Sequence, residues 1–311
     1  FDDDAETVAS LLGIALTSRL MGKAEGRIPL AGIPVRSLDR HLDRLVAGGH
    51  RVAIADQVED PKVAKGIVRR EIVRVVSPGV LMEPEDLAPR ENCWLVGLTT
   101  SQDRLGLKQW GLALLDVSTG DLRVTQLSSE EDALEELVRC GASELLLPEA
   151  LQDNAALAEL VRDRPVTWLD AEAFDAKAGR EDLLRRFEVQ DLGAFGCENM
   201  PVALGAAGAL LNYAGTNSQS SLPHLIGIRA YSVSGHMVID ETTRRNLELT
   251  RPLYGRGRAG SLLGHLDRCI TPMGGRLLKE WLLYPLLERT AIADRHDAVA
   301  CFTQNRSLRS E

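Results

Sequence analysis

The sequence predicts a multidomain chain: a small α+β unit, then an α/β unit, then a mainly α-helical segment. Three observations carry this. At 311 residues the chain exceeds one average domain and suits about two or three. Two stretches interrupt the apolar patterning, the Pro- and acid-rich MEPEDLAPREN at 82–92 and the polar TNSQSSLPH at 216–224. The periodicity also changes: mixed at first, strand-like in the middle, and helical at the end. The units are expected at 1–82, 92–215 and 221–311.

DDDAETVASLLG reads as a helix, with an Asp cap, acids in the first turn, Val8, Leu11 and Leu12 on one face, and Gly13 loosening its end. SLDRHLDRLVAGG is a second helix, with Leu38, Leu42, Leu45 and Val46 at helical spacing and Gly48-Gly49 as its stop. HRVAIADQV reads as a buried strand and EIVRVVSPG, rich in β-branched residues, as another. In the second unit CWLVGLTT, WGLALLDVSTG and DLRVTQLS are strands separated by turns at SQDRLG and STGD. SEEDALEELVRCG is a capped helix and SELLLP a short apolar strand, so the order is that of an α/β unit. PVALGAAGALLNYAG reads as a helix packed closely through its small residues. The third unit opens with a strand, HMVID, and the helix ETTRRNLELT. Three helices follow, with the apolar stripes Leu262, Leu263, Leu266; Leu277, Leu278, Trp281, Leu282; and Ile292, Val299, Phe302.

Composition narrows the function classes. Hydrophobic residues make up 44% and charged residues 26%, ordinary for a globular protein, while aromatics at 4% leave the cores to Leu, Val, Ile and Ala. The longest nearly apolar run, Met200 to Leu211, is too short to span a bilayer, so no membrane role is expected. No secretion signal is legible, and the five scattered cysteines, 93, 140, 197, 269 and 301, include no CxxC pair; reduced thiols in a cytoplasmic protein are the reading. The chain starts at Phe1 and ends at Glu311 in helix-like sequence, which reads as a piece of a longer protein.

The net charge is −9, yet it is unevenly spread. KVAKGIVRREIVRVVSPG, 62–79, holds Lys62, Lys65, Arg69, Arg70 and Arg74 against one acid, Glu71. Residues 7–82 carry 12 Lys+Arg against 7 Asp+Glu. Such a local basic surface on an acidic chain suits a polyanion partner at one site. The competing reading is a solvated face of a sheet or helix.

The patterns that carry catalytic chemistry are missing. GRGRAG, 255–260, has the glycine spacing of a dinucleotide loop but no βαβ unit around it, and reads as a basic loop between helices. No GxxxxGK[ST] phosphate loop and no GxSxG elbow occur. Asp116 on a strand, followed by a helix with Glu135 and Glu136, could mark a two-metal nuclease of the ribonuclease-H type. The alternative is a strand-ending Asp that bonds the turn backbone. Histidines 41, 50, 224, 236, 265 and 296 show no paired metal spacing. No catalytic, metal or cofactor residues are assigned, and the remaining signals are for binding.

Six motifs in order, IPLAGIP, RVAIADQVEDP, KGIVRREIVRVVSPGV, LALLDVSTGDL, DETTRRNLEL and LDRCITPMGGRLLKEWLLYPL, closely resemble the MutS family of bacterial DNA mismatch-repair proteins along the whole chain. The resemblance implies a mismatch-binding domain at 1–82, a connector at 92–215 with a ribonuclease-H-like fold and no nuclease activity, and the first part of a core or lever domain at 221–311. Asp116 is then a structural echo. The family's clamp and ATPase domains, the latter using ATP and Mg, would lie beyond Glu311. The implied partners are double-stranded DNA with mispairs, a MutL-type protein contacted through the connector, and a second copy in a homodimer.

The family reads mispairs with a Phe-x-Glu motif that runs into a segment like FDDDA, so Phe1 corresponds to a Phe after that wedge. Where Val35 and Arg36 stand, the family often has an aromatic residue and a His. Candidate phosphate contacts are Arg19, Arg36, Lys65, Arg69 and Arg70, and strand alternation keeps Arg69 and Arg70 from facing one duplex together. A reader of mispairs tests deformability rather than sequence, which phosphate-binding cations permit. The alternative function is a protein-interaction fragment with negligible DNA affinity.

Overall fold

The computed structural model describes residues 1–20, 27–59, 68–80, 92–102, 105–219, 221–255, 257–305 and 307. The stretch expected to be a linker, 82–92, lies outside them except for Asn92.

Helix α1 (Asp2–Leu12) opens on Phe1 with no side-chain cap. The expected Asp cap is not used. Asp2, Asp3 and Asp4 instead occupy the first turn, where free N–H groups favour negative charge. Its buried face is Ala5, Ala9 and Leu12, and Leu11 is exposed, because the helix lies close against its neighbours through the two alanines. Gly13 ends it in the left-handed region, at φ 67°. An antiparallel hairpin, β1 (Leu16–Leu20) and β2 (Arg27–Ala31), follows. The sequence concealed it: LTSRL is short and mostly exposed, and Pro29 argues against a strand except at an edge. Helix α2 (Leu38–Ala47) buries Leu42, Leu45 and Val46 as its spacing requires.

β3 (Val52–Gln57) pairs antiparallel with β4 (Arg70–Val76) in a two-stranded ribbon. The expectation of buried strands fails here. With no third strand among the described residues, only Val76 is buried, and Val52 and Ile54 pack partly with it on Leu42 and Val46.

The centre of the molecule is a six-stranded sheet of β5 (Leu95–Gln102), β6 (Lys108–Asp116), β7 (Asp121–Leu127), β8 (Glu144–Pro148), β9 (Val166–Leu169) and β10 (Arg229–Ala230), in the order β10-β7-β6-β5-β8-β9. β5, β6 and β7 are antiparallel neighbours, while β8, β9 and β10 join by parallel pairings. Side chains alternate between two cores, as a period of two demands. Val96, Leu98, Leu112, Leu114, Leu145 and Leu147 face helices α3 (Glu130–Arg139) and α4 (Ala155–Val161). Leu95, Ala113, Leu115 and Leu146 face helices α5 (Ala176–Phe187) and α6 (Pro201–Ser218). Ser129 caps α3 by accepting from Asp132 N, as its sequence predicts. α4, β9 and α5 lie where no periodic pattern had been marked: two are short, and α5 carries Gly179 in its middle.

α6 confirms close packing through small residues. A Cβ on Gly208 would lie 2.6 Å from Gly179 Cα, one on Gly205 2.3 Å from the Phe174 carbonyl oxygen, and one on Gly111 of β6 2.3 Å from the Val202 backbone. α6 runs three residues into the polar stretch 216–224, and Leu222, Leu225 and Ile228 continue the core beneath it toward β10.

The last part holds α7 (Glu241–Asn246), α8 (Leu262–Leu266), α9 (Pro272–Leu283) and α10 (Arg289–Gln304). HMVID is not a strand. It makes one isolated bridge, His236 with Leu286, and Met237 N donates to Pro285 O at 2.7 Å. In GRGRAG the described Gly255, Gly257 and Gly260 stand at positive φ outside any helix or strand, as a loop reading requires. The predicted apolar stripes are largely uncovered. Leu263 is buried, whereas Leu262, Leu266, Leu277, Val299 and Phe302 are exposed, since these helices enclose no common core among the described residues. No helix among the described residues is long and apolar enough to cross a membrane.

Candidate nucleic-acid interface

Four of the five candidate phosphate contacts are described, and all four are exposed. Lys65 lies outside the described residues. Arg19 is on β1 opposite Ile28, Arg36 is in the single turn Val35–Ser37 that enters α2, Arg70 opens β4 and Arg69 immediately precedes it. The structure brings Arg69 and Arg70 together on the ribbon and leaves Arg19 and Arg36 on separate elements.

The ribbon's register decides which way each cation points. Residues directly opposed in an antiparallel ladder share a face. Arg70 opposes Gln57 and Ile72 opposes Ala55; Val73 is then bulged out, and Arg74 opposes Ile54. Arg74 therefore falls on the face of Val52, Ile54 and Val76, which packs on α2, together with Glu71 and Asp56. Without the bulge it would share the face of Arg70. Arg69 forms an ion pair with Glu71 on that same side. Arg70 lies on the opposite, open face, where no acid of the ribbon accompanies it. Arg44 is a cation with a structural role, since its guanidinium donates to the carbonyls of Leu11 and Leu12 at 3.1 and 3.0 Å and ties α2 to the end of α1.

Two buried carboxylates fix the surroundings of the central sheet: Glu144, which the sequence did not single out, and Glu136, which it marked only as a possible metal ligand beside Asp116. Glu144, 1% exposed at the start of β8, accepts on Oε2 from Ser77 Oγ and, at 3.0 Å, from Gly79 N. Its Oε1 accepts from Thr167 Oγ1 at 3.1 Å and Tyr213 OH at 2.5 Å. Gly79 admits nothing larger: a Cβ there would lie 2.7 Å from Leu95 Cδ1. Cys93 Sγ donates to Pro78 O at 2.9 Å, Arg51 stands 5.5 Å over the Tyr213 ring, and Gln219 Nε2 donates to Ile72 O at 2.7 Å. The end of the basic ribbon is thus bonded to the sheet and to α6. The one sequence signal was an acid opening an otherwise apolar run, SELLLP.

Glu136, fully buried on α3, accepts on Oε1 from Tyr231 OH at 3.0 Å and Tyr284 OH at 2.8 Å, with Arg139 3.3 Å from Oε2. Burial pushes its carboxyl above the ordinary range, against the opposing pull of these partners. Burial likewise raises both tyrosine hydroxyls, and the Glu136 charge adds to it. Arg244 at the end of α7 reaches the Arg139 carbonyl at 3.3 Å, and Arg123 of β7 bonds Asp121 at 2.7 Å and Glu280 of α9 at 2.9 Å. Burial opposes charge on Arg123, but its two acids outweigh it and raise its pKa.

Asp116 ends β6, the second strand of the sheet in sequence, and is fully buried. Oδ1 accepts from Ser118 N at 3.1 Å and Ser118 Oγ at 2.7 Å, Oδ2 from Asn92 Nδ2 at 3.0 Å, and its carbonyl from Gly120 N at 2.9 Å. This is the strand-ending Asp that shapes a turn. Glu136 answers to Tyr231, Tyr284 and Arg139 instead, and the described residues hold no group of three His, Cys, Asp or Glu that could bind a metal.

Comparison with known proteins agrees with the motif order. Family models match in sequence: MutS domain I at residues 1–85, MutS domain II at 99–226 and MutS domain III at 242–311. The DNA mismatch repair protein MutS of Thermosynechococcus vestitus is 42% identical over 321 residues, covering 99% of this chain and 36% of that protein. The proteins of the same name from Syntrophobacter fumaroxidans and Dehalococcoides mccartyi are 40% and 42% identical over 314 and 311 residues, each covering 100% of this chain and 35% of theirs. The chain therefore spans about a third of the length of the curated relatives it matches. It belongs to the MutS family of DNA mismatch-repair proteins and carries that family's domains I, II and III.

Proposed function

We propose that this chain is the DNA-reading and relay portion of a mismatch sensor, with residues 1–82 on the duplex, 92–215 as connector and 221–311 as the start of the lever. The observation that carries it is the open face of the β3–β4 ribbon, where Arg70 stands exposed and neither strand places an acid on its side, on an otherwise acidic protein. Arg19, Arg36 and the segment of Lys65 supply further cations to the same domain. Contacts of this kind neutralise phosphates and place the domain without reading sequence, which suits a test of how easily a mispaired step kinks.

The strand order of the sheet, three antiparallel strands continued by two parallel ones, supports a ribonuclease-H-like connector. The bonding of Asp116 to its own turn supports a connector without nuclease activity. The 311 residues include neither the Phe-x-Glu wedge nor a phosphate loop. ATP and Mg would act on the family's ATPase domain, a MutL-type partner on the connector, and a second copy would complete a homodimer, in the cytoplasm.

A duplex titration at several salt concentrations tests the reading, with a G·T duplex and its matched control. The expected result is weak, strongly salt-dependent binding to both, with Arg70→Ala lowering the salt slope by about 1. Absence of salt-dependent binding would favour the protein-interaction reading. A tenfold preference for the mismatch, about 1.4 kcal/mol, would mean that residues other than the wedge read it.

A further inference from the structure

A groove of about 370 Å³ opens between α3, α4 and the start of α7. Glu131, Leu134, Glu135 and Val138 line it from one face of α3, at the spacing i, i+3, i+4, i+7. Ala133, Glu136 and Leu137 of the same helix are buried in the interior, so the groove takes a second face of α3. Leu160 and Ile239 complete its apolar lining, and like Leu134 and Val138 they are half-buried. The walls are already joined where Arg244 Nη1 donates to the Arg139 carbonyl at 3.3 Å, so the groove is preformed.

Its charged lining is acidic. Glu131, Glu135, Asp240 and Glu241 stand against two cations, Arg139 and Arg244. Both cations are answered: Arg139 Nη1 lies 3.3 Å from buried Glu136, and Arg244 Nη2 lies 2.6 Å from Glu241. Glu131 and Glu135 have no cation partner among the described residues. Asp240 caps α7, accepting from Thr243 N at 2.8 Å and Thr243 Oγ1 at 2.7 Å, and these bonds hold its carboxyl below the ordinary range. Three unbalanced negative charges therefore border an apolar trough. Such a surface repels phosphates and suits an apolar body that carries positive charge at its flanks.

We propose that this groove receives an amphipathic helix of a partner protein, one with aliphatic side chains a turn apart and Lys or Arg on both flanks. The aliphatic side chains would lie against Leu134, Val138 and Ile239, and the cations would meet Glu131 and Glu135 on one wall and Asp240 on the other. Because its walls come from α3 and from α7, the bound helix would clasp the sheet to the helical part of the chain.

Fluorescence anisotropy of the 311-residue chain tests this with a labelled peptide of about 15 residues, in which Leu at helical spacing is flanked by Lys. Saturable one-to-one binding is expected. Replacing every Leu of the peptide by Ser should weaken it at least tenfold, and replacing every Lys by Glu should abolish it. In the protein, Glu131→Lys combined with Glu135→Lys should weaken binding tenfold or more, and Ile239→Ser several-fold. Thermal melting without peptide checks that each variant is folded. Absence of saturable binding by the unaltered chain overturns the proposal. So does equal affinity for the Ser peptide, which would reduce the contact to charge attraction, or unchanged affinity in the folded variants. Sedimentation of the chain alone supplies the remaining check: self-association that the two Glu→Lys changes abolish would make the occupant a second copy and overturn the partner helix.

Discussion

Replacing Glu144 separates two accounts of how the basic ribbon is held to the sheet. The carboxylate receives four donors from three parts of the chain: Ser77 and Gly79 beyond β4, Thr167 in β9 and Tyr213 in α6. Glu144→Ala leaves Gly79 N–H buried against nothing, which costs about 1–3 kcal/mol, and adds a cavity where the side chain stood. Thr167 Oγ1 and Tyr213 OH are 3.3 Å apart and can bond each other, so they recover part of their loss. The total comes to about 3–5 kcal/mol. Glu144→Gln behaves differently. With its carbonyl oxygen toward Ser77 and Gly79, its amide can donate to Thr167 and Tyr213, both of which accept as well as donate. Only the charge assistance disappears, about 1 kcal/mol. Thermal and urea unfolding of both variants, with hydrogen exchange at Gly79, measures the contrast. Equal destabilisation by the two would show that the negative charge, not the acceptor geometry, holds the ribbon. A loss below about 0.5 kcal/mol in Glu144→Ala would refute the assignment of Glu144 as the anchor.

Gly208→Ala should destabilise by about 1–3 kcal/mol despite its better helix propensity, since the new Cβ meets Gly179 Cα at 2.6 Å and neither backbone can yield cheaply; urea unfolding reads the sign. Glu136, whose carboxyl is raised in the fold, binds its proton more tightly folded than unfolded. Its stabilising share is therefore complete below the unfolded value of about 4.3 and is lost as pH climbs through the raised folded value. Melting temperatures of the unaltered chain should fall relative to Glu136→Gln over that rise, and parallel curves would contradict it. A thiol reagent added to the native chain should modify exposed Cys301 first. Buried Cys93 and Cys140, pushed up to about 11 and about 12 mainly by burial, should react only on unfolding, as mass spectrometry of the labelled peptides would resolve.

Strands β5 to β8 were the most legible part of the fold, since β6 and β8 are buried on both faces and read as nearly continuous apolar runs, LALLD and ELLLP, whereas the edge strands β9 and β10 gave no such run. Helices α2, α3 and α6 declared themselves through spacing, a Ser cap and a run of small residues. The β1–β2 hairpin did not, since a short exposed strand with a proline has no hydrophobic signature. HMVID shows the opposite failure: it has the composition of a strand, but its neighbours offer a single bridge. At the candidate interface, the positions of the cations were readable and their directions were not. The bulge at Val73 turns Arg74 toward α2 and leaves Arg70 outward, and a bulge is a property of two strands together. Glu144 was hidden, and Glu136 was marked for metal chemistry rather than for its tyrosine partners, for a related reason, because those partners lie up to 148 positions away along the chain.

Those two carboxylates stand at positions 136 and 144, one at the end of α3 and the other at the start of the strand that α3 feeds. Glu144 bonds the segment that closes the basic ribbon. Glu136 bonds Tyr231, just after β10, and Tyr284, at the end of α9. Between them run one helix end and one tight turn at Gly141, and Glu144 opens a fully buried strand. A displacement of the ribbon that pulled on Ser77 and Gly79 would act on β8 directly. The strand has little room to absorb it, since Leu145, Leu146 and Leu147 are fully buried and packed on both faces. The near end of α3, with Glu136 and Arg139, is the next element able to shift. Its partners there are hydroxyls and guanidinium groups, whose bonds re-form at small displacements more readily than interlocked side chains do. In this arrangement the stiff part of the chain lies in the sheet and the adjustable part lies at the contact with Tyr284 and α9. On the proposed function, residues 1–82 would thereby be linked to 221–311 through β8 and the end of α3.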